Sequence, residues 1–530
     1  MTRRRFALVM GFALLAAAPP GSTAQETPKA GGTLRVALSA EPITLNPGIS
    51  NSQFDGFVTA KIFEGLVYLD EKLQAVPGLA ESWTASADNK TWTFRLRRNV
   101  KWHDGKPFTS ADVKFTIEQV LLPLHPLGRT TLGAIEALET PDPHTVVIRK
   151  KSSNVLLSPP FIALNALSAA IVPRHVYEGS DIRNHKANVA PVGTGPFKFK
   201  EWVKGSHIIL TRNEDYWQRG RPYLDEVIMR VMPDVNARLL SLSKGDIDYV
   251  PFGVSYASVP RFENQPAVRV ERFKDARYMI HGLYFNFRKP PFDKVAVRQA
   301  IAHAVDKDAV IRTVTFKIDQ PATSLQPSAS PYHNSAVEAY ALNLDRAREL
   351  LDAAGVRPGP DGVRVKATYS VDLGIGETAV KTAELVRDQL KKIGIELTVV
   401  PMDRAAFLDK VYARFDFDIG SFFGTMGPDP AAMEKWFATL AKPAPFTNPT
   451  GYANPTVDGL LREAALETNP AKRKRIYDQV QLILSRELPY LPIREDSSPQ
   501  LVRSVFRNLP GDIFVGRTDR LLEAWTTGGR

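Results

Sequence analysis

The residues whose spacing best suits chemistry are two glycines placed as in a dinucleotide-binding turn. Gly374 and Gly376 precede Ala379 in the pattern G-x-G-x-x-A, and Glu396 follows Gly376 by 20 residues. Glycines in such a turn let backbone N–H groups approach a pyrophosphate at the N-terminus of a helix. No second mononucleotide-binding half follows the motif, which lies in the last third of the chain. We therefore interpret it as a glycine-rich turn before an amphipathic helix.

Other patterns for catalysis or metal binding are missing from the sequence. The nine histidines include no pair at i, i+4 spacing, no H-E-x-x-H, G-x-S-x-G or Walker A motif occurs, and there is no cysteine. His103 falls in a predicted turn and His303 in a predicted helix, where structural roles are expected. A metal site assembled from distant parts of the chain stays open at this stage. The sequence predicts a binding protein rather than an enzyme, with no cofactor and no metal.

The elements that must position any site alternate between strands and helices, which indicates an α/β fold. The clearest unit is a βαβ pattern with a strand at 363–369, a helix at 377–393 and a strand at 395–400. Further strands are predicted at 32–38, 91–96, 144–149, 196–202, 207–211 and 225–231. Further helices are predicted at 111–121, at 234–243, from a cap at Asp293 to 305, from Asn343 or Asp345 to Gly355, and at 471–486.

The N-terminus has the pattern of a secretory signal peptide, residues 1–24. Three arginines at 3–5 precede an apolar run at 6–18, and small residues at 22–24 come before an expected cleavage site at Gln25. The run is too short to span a membrane, which takes about 20 apolar residues. The arginines also fit the twin-arginine export pattern, and an ordinary secretion signal is the alternative.

Export without any cysteine for lipid attachment predicts a free periplasmic protein rather than a lipoprotein. The other long apolar stretch, 155–172, contains Pro159 and Pro160 and is predicted to be buried core. The formal net charge is +11 for the whole chain. Basic residues are interspersed with acidic ones, so we expect no nucleic-acid partner.

Several sequence blocks carry a family resemblance. They are Glu41–Pro47, Ile62–Leu66, Leu79–Trp83, Thr91–Arg97, Val100–Phe108, Gly193–Phe197, Asn213–Trp217, Leu283–Phe287 and Val297–Ile301. In this order and spacing, from about Gly32 to Leu501, the chain closely resembles the family 5 extracellular solute-binding proteins of ATP-driven importers, the peptide and nickel class. The blocks also have structural meaning, since paired glycines, tryptophans and the turn at His103–Gly105 mark architecture more than ligand.

The resemblance implies a two-lobed periplasmic-binding-protein fold of type II with an extra domain and a ligand cleft between the lobes. By analogy, domain I comprises 31–71, 193–286 and 494–530, domain II comprises 72–192, and domain III comprises 287–493. Strands at 280–287 and 489–496 are the expected hinge, about which the lobes close.

Two segments match the positions that line the cleft in the family. One is the loop with Asn51, Ser52 and Gln53, and the other runs from Phe423 and Gly424 through Met426 to Asp429. Peptide-binding relatives place a carboxylate at the position of Met426 to meet the peptide's amino group, so Asp429 is a candidate substitute. The alternative is that Asp429 caps the helix that begins near Pro430.

Phe423 fits the aromatic wall of the family, whereas the stretch 370–373 offers no match to the arginine that dipeptide binders use. The resemblance therefore implies a monomeric receptor for a peptide-like solute, partnered by the permease and ATPase subunits of an importer. A longer or modified peptide, an opine, an oligosaccharide, heme or a nickel complex stays open as ligand. An exported nucleotide-dependent enzyme or a hydrolase is the competing class.

Overall fold

The structure of the chain is a computed structural model that describes residues 26–70, 74–126, 128–152, 171–272, 279–427, 429–440, 442, 446–509 and 520–528. The predicted signal peptide, residues 1–24, lies outside the described residues, as does the apolar stretch 155–172 except for its last two residues. Within the described ranges, no helix is long and apolar enough to cross a membrane.

The first large sheet has seven strands and collects three separate parts of the chain. Its order is β12 (Val268–Arg272), β19 (Pro499–Arg503), β11 (Tyr249–Val250), β1 (Thr33–Leu38), β10 (Glu226–Val231), β9 (His207–Arg212) and β8 (Phe197–Val203). All seven fall in the segments assigned to domain I. Its core side chains include Leu34, Val36 and Val227, all fully buried.

Domain II is built on a four-stranded antiparallel sheet in the order β4 (Ala80–Ala85), β5 (Thr91–Leu96), β7 (Thr145–Lys150), β6 (Ile135–Asp142). Trp102 is almost fully buried in its core, as expected for a tryptophan that marks the fold. Two short pairs complete the strands, namely β2 (Val67–Leu69) with β3 (Ala75–Pro77) and β20 (Phe506–Arg507) with β21 (Trp525–Thr526).

The sheet of domain III has six strands in the order β14 (Gln320–Pro321), β18 (Tyr490–Glu495), β13 (Met279–Phe285), β17 (Ile419–Thr425), β15 (Val365–Asp372), β16 (Ile395–Met402). The strand pairing in this sheet does not follow the predicted boundaries between domains I and III at 286/287 and 493/494. By sheet membership, β13 and the whole of β18 belong with domain III, because both pair along their lengths within its sheet. The two expected hinge strands are direct neighbours here.

Five of the six predicted helices lie within two residues of their predicted bounds, whereas the α-helix predicted at 111–121 ends at Phe115. The described residues contain fifteen α-helices in all. They are α1 (Gln53–Thr59), α2 (Ser110–Phe115), α3 (Leu122–Leu124), α4 (Gly128–Leu132), α5 (Arg174–Tyr177), α6 (Val235–Lys244), α7 (Val259–Glu263), α8 (Val295–Ala304), α9 (Lys307–Val314), α10 (Leu344–Ala353), α11 (Glu377–Lys391), α12 (Arg404–Leu408), α13 (Met433–Phe437), α14 (Pro455–Leu466) and α15 (Pro470–Glu487). A π-helical turn, Thr116–Leu121, joins α2 to α3.

Capping chemistry explains most of the helix ends. The side chain of Asn343 accepts from the Arg346 backbone N–H at the start of α10, as predicted. The prediction that Asp293 caps α8 is wrong, because Lys294 occupies the N-cap position and gives no side-chain hydrogen bond. Arg298 instead binds the carbonyl oxygens of Phe292 and Asp293, which fixes the preceding loop.

The predicted βαβ unit is present, and its strands β15 and β16 are parallel and in register from Val365 opposite Ile395 to Asp372 opposite Met402. The predicted apolar stripe of α11 is buried against this sheet: Ala379, Ala383, Val386 and Leu390, followed by Ile393. The unit therefore presents the N-terminus of α11 at the carboxyl end of β15.

Candidate ligand-binding site

One edge of the six-stranded sheet gathers the candidate site, and we call it the crossing edge. The parallel strands β15, β16 and β17 end there, at Asp372, Met402 and Thr425. The antiparallel neighbours meet the same edge, since β13 begins opposite the end of β17 and β18 ends opposite the start of β13. Ligands of α/β proteins bind at the carboxyl ends of the strands. Both hinge strands join domain I from this edge.

Phe423 is the predicted site residue that the structure leaves most available on this edge. It lies on β17 with a half-buried side chain, and its ring centroid is 5.0 Å from that of His281 on β13. Gly424 follows in a buried position where an added Cβ would lie 2.5 Å from the ring of Phe422. Glycine is therefore required there by packing, and Phe423 forms the accessible aromatic face.

Met426 lies at the position where the resemblance expects an amino-group partner, and its side chain is fully buried. It belongs to the same core cluster as Phe422 and Trp436. A side chain enclosed in this way has no surface for a ligand, so the burial argues against ligand contact by Met426.

The carboxylate of Asp429 is bound by other groups of the protein. Its Oδ1 accepts from the Ala431 backbone N–H at 2.9 Å and from Arg473 Nη2 at 2.8 Å, and its Oδ2 accepts from Arg473 Nη1. The carboxylate thus caps the 3-10 turn Pro430–Ala432 and pairs in fork geometry with an arginine whose side chain is 4% exposed. The geometry supports the structural alternative for Asp429.

The loop with Asn51, Ser52 and Gln53 precedes α1, on the domain I side of the predicted cleft. Ser52 is the N-cap, and its Oγ accepts from the backbone N–H groups of Phe54 and Asp55. The side chains of Asn51 and Gln53 are exposed. Helix α1 is anchored by Phe57 and Val58 in the core of domain I. The two predicted segments therefore belong to different lobes, as a cleft site requires.

A buried polar group on the crossing edge was not predicted, and we call it the hinge cluster. It consists of six residues from both sides of the hinge: Tyr256, His281, Asp319, Thr378, Arg494 and Asp496. Arg494 is almost fully buried and donates to Asp319, to His281 Nδ1 at 3.0 Å and to Thr378 Oγ1 at 3.1 Å. His281 and Arg494 lie on strands that the sequence marked as hinge, but only the fold brings Asp319 and Thr378 to them.

The hydrogen bonds of the hinge cluster assign the protonation of His281. Because Arg494 has only donors, Nδ1 of His281 accepts and carries no proton. Its Nε2 then bears the proton and donates to Asp496 Oδ2 at 3.3 Å. Burial raises the pKa of Asp319 to about 6, Arg494 opposes this rise, and the nearby Asp496 adds to it.

The glycine-rich turn follows the end of β15 on the crossing edge. Gly376 has φ of +103°, which favours glycine, and it is the N-cap of α11. Asp372 accepts from the Gly374 backbone N–H at 2.8 Å and pairs with Arg404 at 3.0 Å. An added Cβ at Gly374 would lie 2.6 Å from the Arg404 guanidinium, so an arginine of the same chain fills the space beside the first glycine.

The family blocks from the first part of the chain meet away from this edge, where domains I and II join. His103 Nδ1 accepts from the Gly193 backbone N–H at 3.2 Å, and its Nε2 contacts the Gly195 carbonyl oxygen at 3.0 Å. A Cβ at Gly193 would lie 1.8 Å from the Ile62 carbonyl oxygen. We call this contact region the block junction, and it supports the interpretation of the blocks as fold markers.

Glu64 extends the block junction with a buried carboxylate. It accepts from Tyr216 Oη at 2.6 Å and from Trp217 Nε1 at 3.0 Å, and Arg520 lies 3.4 Å away. Burial raises the pKa of Glu64, while Arg520 and these donors oppose the rise. In the described part of the chain, no three or more His, Asp or Glu residues are grouped as a metal site would require.

Comparison with known proteins places this geometry in a family. Residues 74–444 match the model of the bacterial extracellular solute-binding proteins, family 5. A putative ABC transporter peptide-binding protein of Brucella ovis is 31% identical over 463 residues, 84% of this chain and 83% of the relative. The glutathione-binding protein GsiB of Escherichia coli is 28% identical over 488 residues, 90% of this chain and 91% of the relative.

Solved structures agree with the fold. The binding protein AgaA from Agrobacterium tumefaciens R10, in complex with agropinic acid, is 28% identical with a TM-score of 0.74, covering 94% of this chain and 99% of its own. The ABC transporter substrate-binding protein CtaP of Listeria monocytogenes is 24% identical with a TM-score of 0.83, covering 94% of this chain and 100% of its own. The chain belongs to the bacterial extracellular solute-binding proteins of family 5.

Proposed function

We propose that the chain is an exported receptor that captures a peptide-like solute and delivers it to the permease and ATPase subunits of an ABC importer. The observation that carries the proposal is the half-buried ring of Phe423 on the crossing edge, which packs on the buried ring of His281. The exposed side chains of Asn51 and Gln53 supply polar contacts from domain I. The relatives support the class, since they are named as peptide- and glutathione-binding proteins of transporters.

The ligand is a peptide-like compound whose amino group is not held at the 426–429 segment. Met426 is buried there, and both oxygens of Asp429 are engaged by Arg473 and the turn. An ammonium group desolvated beside this segment would lack a free carboxylate partner, which costs several kcal/mol. A modified peptide or an opine therefore fits better than an ordinary short peptide. The likeness to AgaA makes the opine the second candidate ligand.

The test is a ligand screen by thermal shift together with native mass spectrometry of protein purified from its own periplasm. Glutathione, pooled peptides and agropinic acid are the probes, and NAD serves as the probe for an enzyme. A binder at a hundredfold excess over its Kd stabilises the protein by about 2.7 kcal/mol. Failure of every probe, with no trapped ligand in the mass spectrum, would remove the receptor proposal. A shift with NAD alone would favour the enzyme.

Two variants locate the site once a binder is found. Phe423→Ala removes the aromatic face, and Gln53→Ala removes a polar contact from the opposite lobe. We expect each to weaken binding. Gln53→Ala should leave the unliganded melting temperature nearly unchanged because Gln53 is exposed, whereas Phe423→Ala should also lower it, because that side chain is half-buried. Leu240→Ala is the matched control, since it truncates an apolar side chain that is 50% exposed on α6.

We also infer export with cleavage before Gln25, a monomeric mature protein and no lipid anchor. The arginines at 3–5, the apolar run and the absence of cysteine support this proposal. The N-terminal residue and mass of the periplasmic protein test it. Replacing Arg3, Arg4 and Arg5 pairwise by lysine distinguishes twin-arginine export from ordinary secretion, because only the former depends on paired arginines.

A further inference from the structure

One contact between the two lobes at the hinge cluster is made by a tyrosine hydroxyl group. Tyr256 belongs to domain I, in the 3-10 turn Tyr256–Ser258, and its hydroxyl lies 3.2 Å from Asp319 Oδ1 and 3.3 Å from Asp496 Oδ1. Asp319 immediately precedes β14 of domain III, and Asp496 follows β18 in the segment that crosses to domain I. A relative rotation of the lobes would therefore change the distances from this hydroxyl to both carboxylates.

The charges of the cluster make such a change costly. Asp319 pairs with the Arg494 guanidinium, Asp496 pairs with His281 beside it, and the side chains of Asp319, Arg494 and Asp496 are 0%, 2% and 7% exposed. His281 is neutral by its hydrogen bonds, so it adds no positive charge. The Tyr256 hydroxyl is one donor among several here, because Asp319 Oδ1 also accepts from the Ser497 backbone N–H at 2.9 Å and Asp496 Oδ1 from the Ser498 backbone N–H at 2.7 Å.

Arg494 also touches the ligand-facing side of the crossing edge. It donates to Nδ1 of His281, whose ring lies against Phe423, and to Oγ1 of Thr378 in the first turn of α11. The same guanidinium therefore fixes the aromatic face, the start of the helix and the aspartate that binds Tyr256. Its Nε is buried and has no hydrogen-bond partner among the described residues, so the three bonds of the two terminal nitrogens hold it in place.

We propose that Arg494 is a positioning residue that couples the aromatic face of the ligand site to the angle between the lobes, with Tyr256 as the contact from domain I. The coupling to ligand rests on the proposed receptor function, whereas the effect on lobe angle does not. In this arrangement, loss of the Tyr256 hydroxyl weakens the preference for the lobe angle seen here. Loss of the Arg494 fork in addition frees the His281 ring beside Phe423.

The test measures the lobe angle directly, in the unliganded protein. Because the chain has no cysteine, single cysteines can be placed at Arg219 in domain I and Lys391 at the end of α11, both exposed, and labelled for single-molecule energy transfer. We expect one dominant distance in the parent protein. Tyr256→Phe should add a second population or shift the mean, and Arg494→Gln should do so more strongly.

Matched controls come from another buried arginine of domain III, Arg473. Arg473 binds Asp429 and also donates to the Tyr332 hydroxyl, and all three residues lie within the segment 287–493. Tyr332→Phe and Arg473→Gln should leave the distance distribution unchanged. An unchanged distribution in both Tyr256→Phe and Arg494→Gln, with native circular dichroism, would overturn the proposal.

The ligand half of the proposal needs a second readout. With glutathione or agropinic acid, whichever binds in the screen, Tyr256→Phe should change Kd by about fivefold or more although Tyr256 does not line the aromatic face. Arg494→Lys keeps the positive charge but not the planar guanidinium with its two terminal nitrogens. Compared with Arg494→Gln, it should therefore recover fold stability but not the Kd of the parent protein. If the distances change and Kd does not, the coupling to ligand is wrong. If no probe binds, the receptor function fails while the distance result still stands.

Discussion

Domain I joins its two neighbours in different ways. At the block junction, domain II is held through the ring of His103, which binds the backbone at Gly193 and Gly195, and within domain I Gly193 packs directly on Ile62. At the hinge cluster, domain III is held by polar and charged side chains, with the Tyr256 hydroxyl among the contacts, and next to it Ile318 is buried in a hydrophobic cluster of domain I. Backbone packing without room for a Cβ fixes one geometry, whereas side-chain hydrogen bonds can exchange partners when a lobe rotates. We predict from this contrast that domains I and II move as one lobe.

The largest expected effect is that of Gly193→Ala, which attacks the rigid junction. The new Cβ would lie 1.8 Å from the Ile62 carbonyl oxygen, so the backbone must move. We expect a loss of about 4 kcal/mol or more in the free energy of unfolding, measured by urea denaturation. Gly459→Ala is the control, because it lies in α14 with open space and should stabilise the protein by up to about 1 kcal/mol. A near-neutral Gly193→Ala would contradict the rigid junction.

The next effect tests the role of Asp429. Asp429→Ala leaves the guanidinium of Arg473 buried without its carboxylate, so we expect a loss of about 3–5 kcal/mol in unfolding free energy. The double variant Asp429→Ala with Arg473→Met should recover part of that loss, since it removes the unpaired charge. If Asp429→Ala instead weakens ligand binding while stability is kept, Asp429 is a ligand anchor and the structural role is wrong.

A smaller effect should distinguish the block junction from the hinge cluster by the pH dependence of protein stability. Burial lowers the pKa of His103 to about 4, and the hydrogen bond from Gly193 to Nδ1 agrees with a neutral ring. An unfolded histidine titrates near 6.5, so the unfolded chain takes up the proton first and stability falls as pH drops from about 6.5 to 4. When the pH is lowered from 7 to 5, the free energy of unfolding of His103→Gln should fall by roughly 1–2 kcal/mol less than that of the parent protein, as measured by urea denaturation.

The hinge cluster should respond in the opposite direction. Asp319 has a pKa raised to about 6, so the folded state takes up its proton first, and this contribution to stability appears as pH falls through 6 and is lost as pH rises through it. Asp319→Asn should remove that gain. Relative to the parent protein, Asp319→Asn and His103→Gln should change the pH dependence of the unfolding free energy in opposite directions. A change in the same direction for both variants would contradict the difference between the two regions.

The smallest expected effect calibrates the others. Asp104 Oδ2 lies 2.7 Å from His175 Nε2, within hydrogen-bond distance, and the two side chains are 33% and 22% exposed. Asp104→Asn should cost under about 1 kcal/mol, because solvent screens such pairs. A larger loss in the same urea measurement would mean that contacts at the surface of domain II contribute as much as the buried ones.

The sequence predicted the elements well where local chemistry decides them. The stripe of α11, the Asn343 cap and the parallel strands of the βαβ unit follow from periodicity and capping residues alone. The start of α8 was placed at Asp293 instead, because an aspartate near a helix start looks like a cap and the interactions of Arg298 with two carbonyl oxygens cannot be read from spacing.

For the candidate site too, some features could be predicted from the sequence and others depend on the tertiary structure. The sequence by itself determined the family and the α/β class, because these depend on ordered motifs and local patterns, and it predicted two cleft-lining segments. Only the tertiary structure decided which side chains are available, since burial of Met426 and engagement of Asp429 depend on packing and on Arg473, 44 residues away. It also created the hinge cluster, because Tyr256, Asp319 and Arg494 are far apart along the chain and meet only where the two hinge strands cross between the lobes.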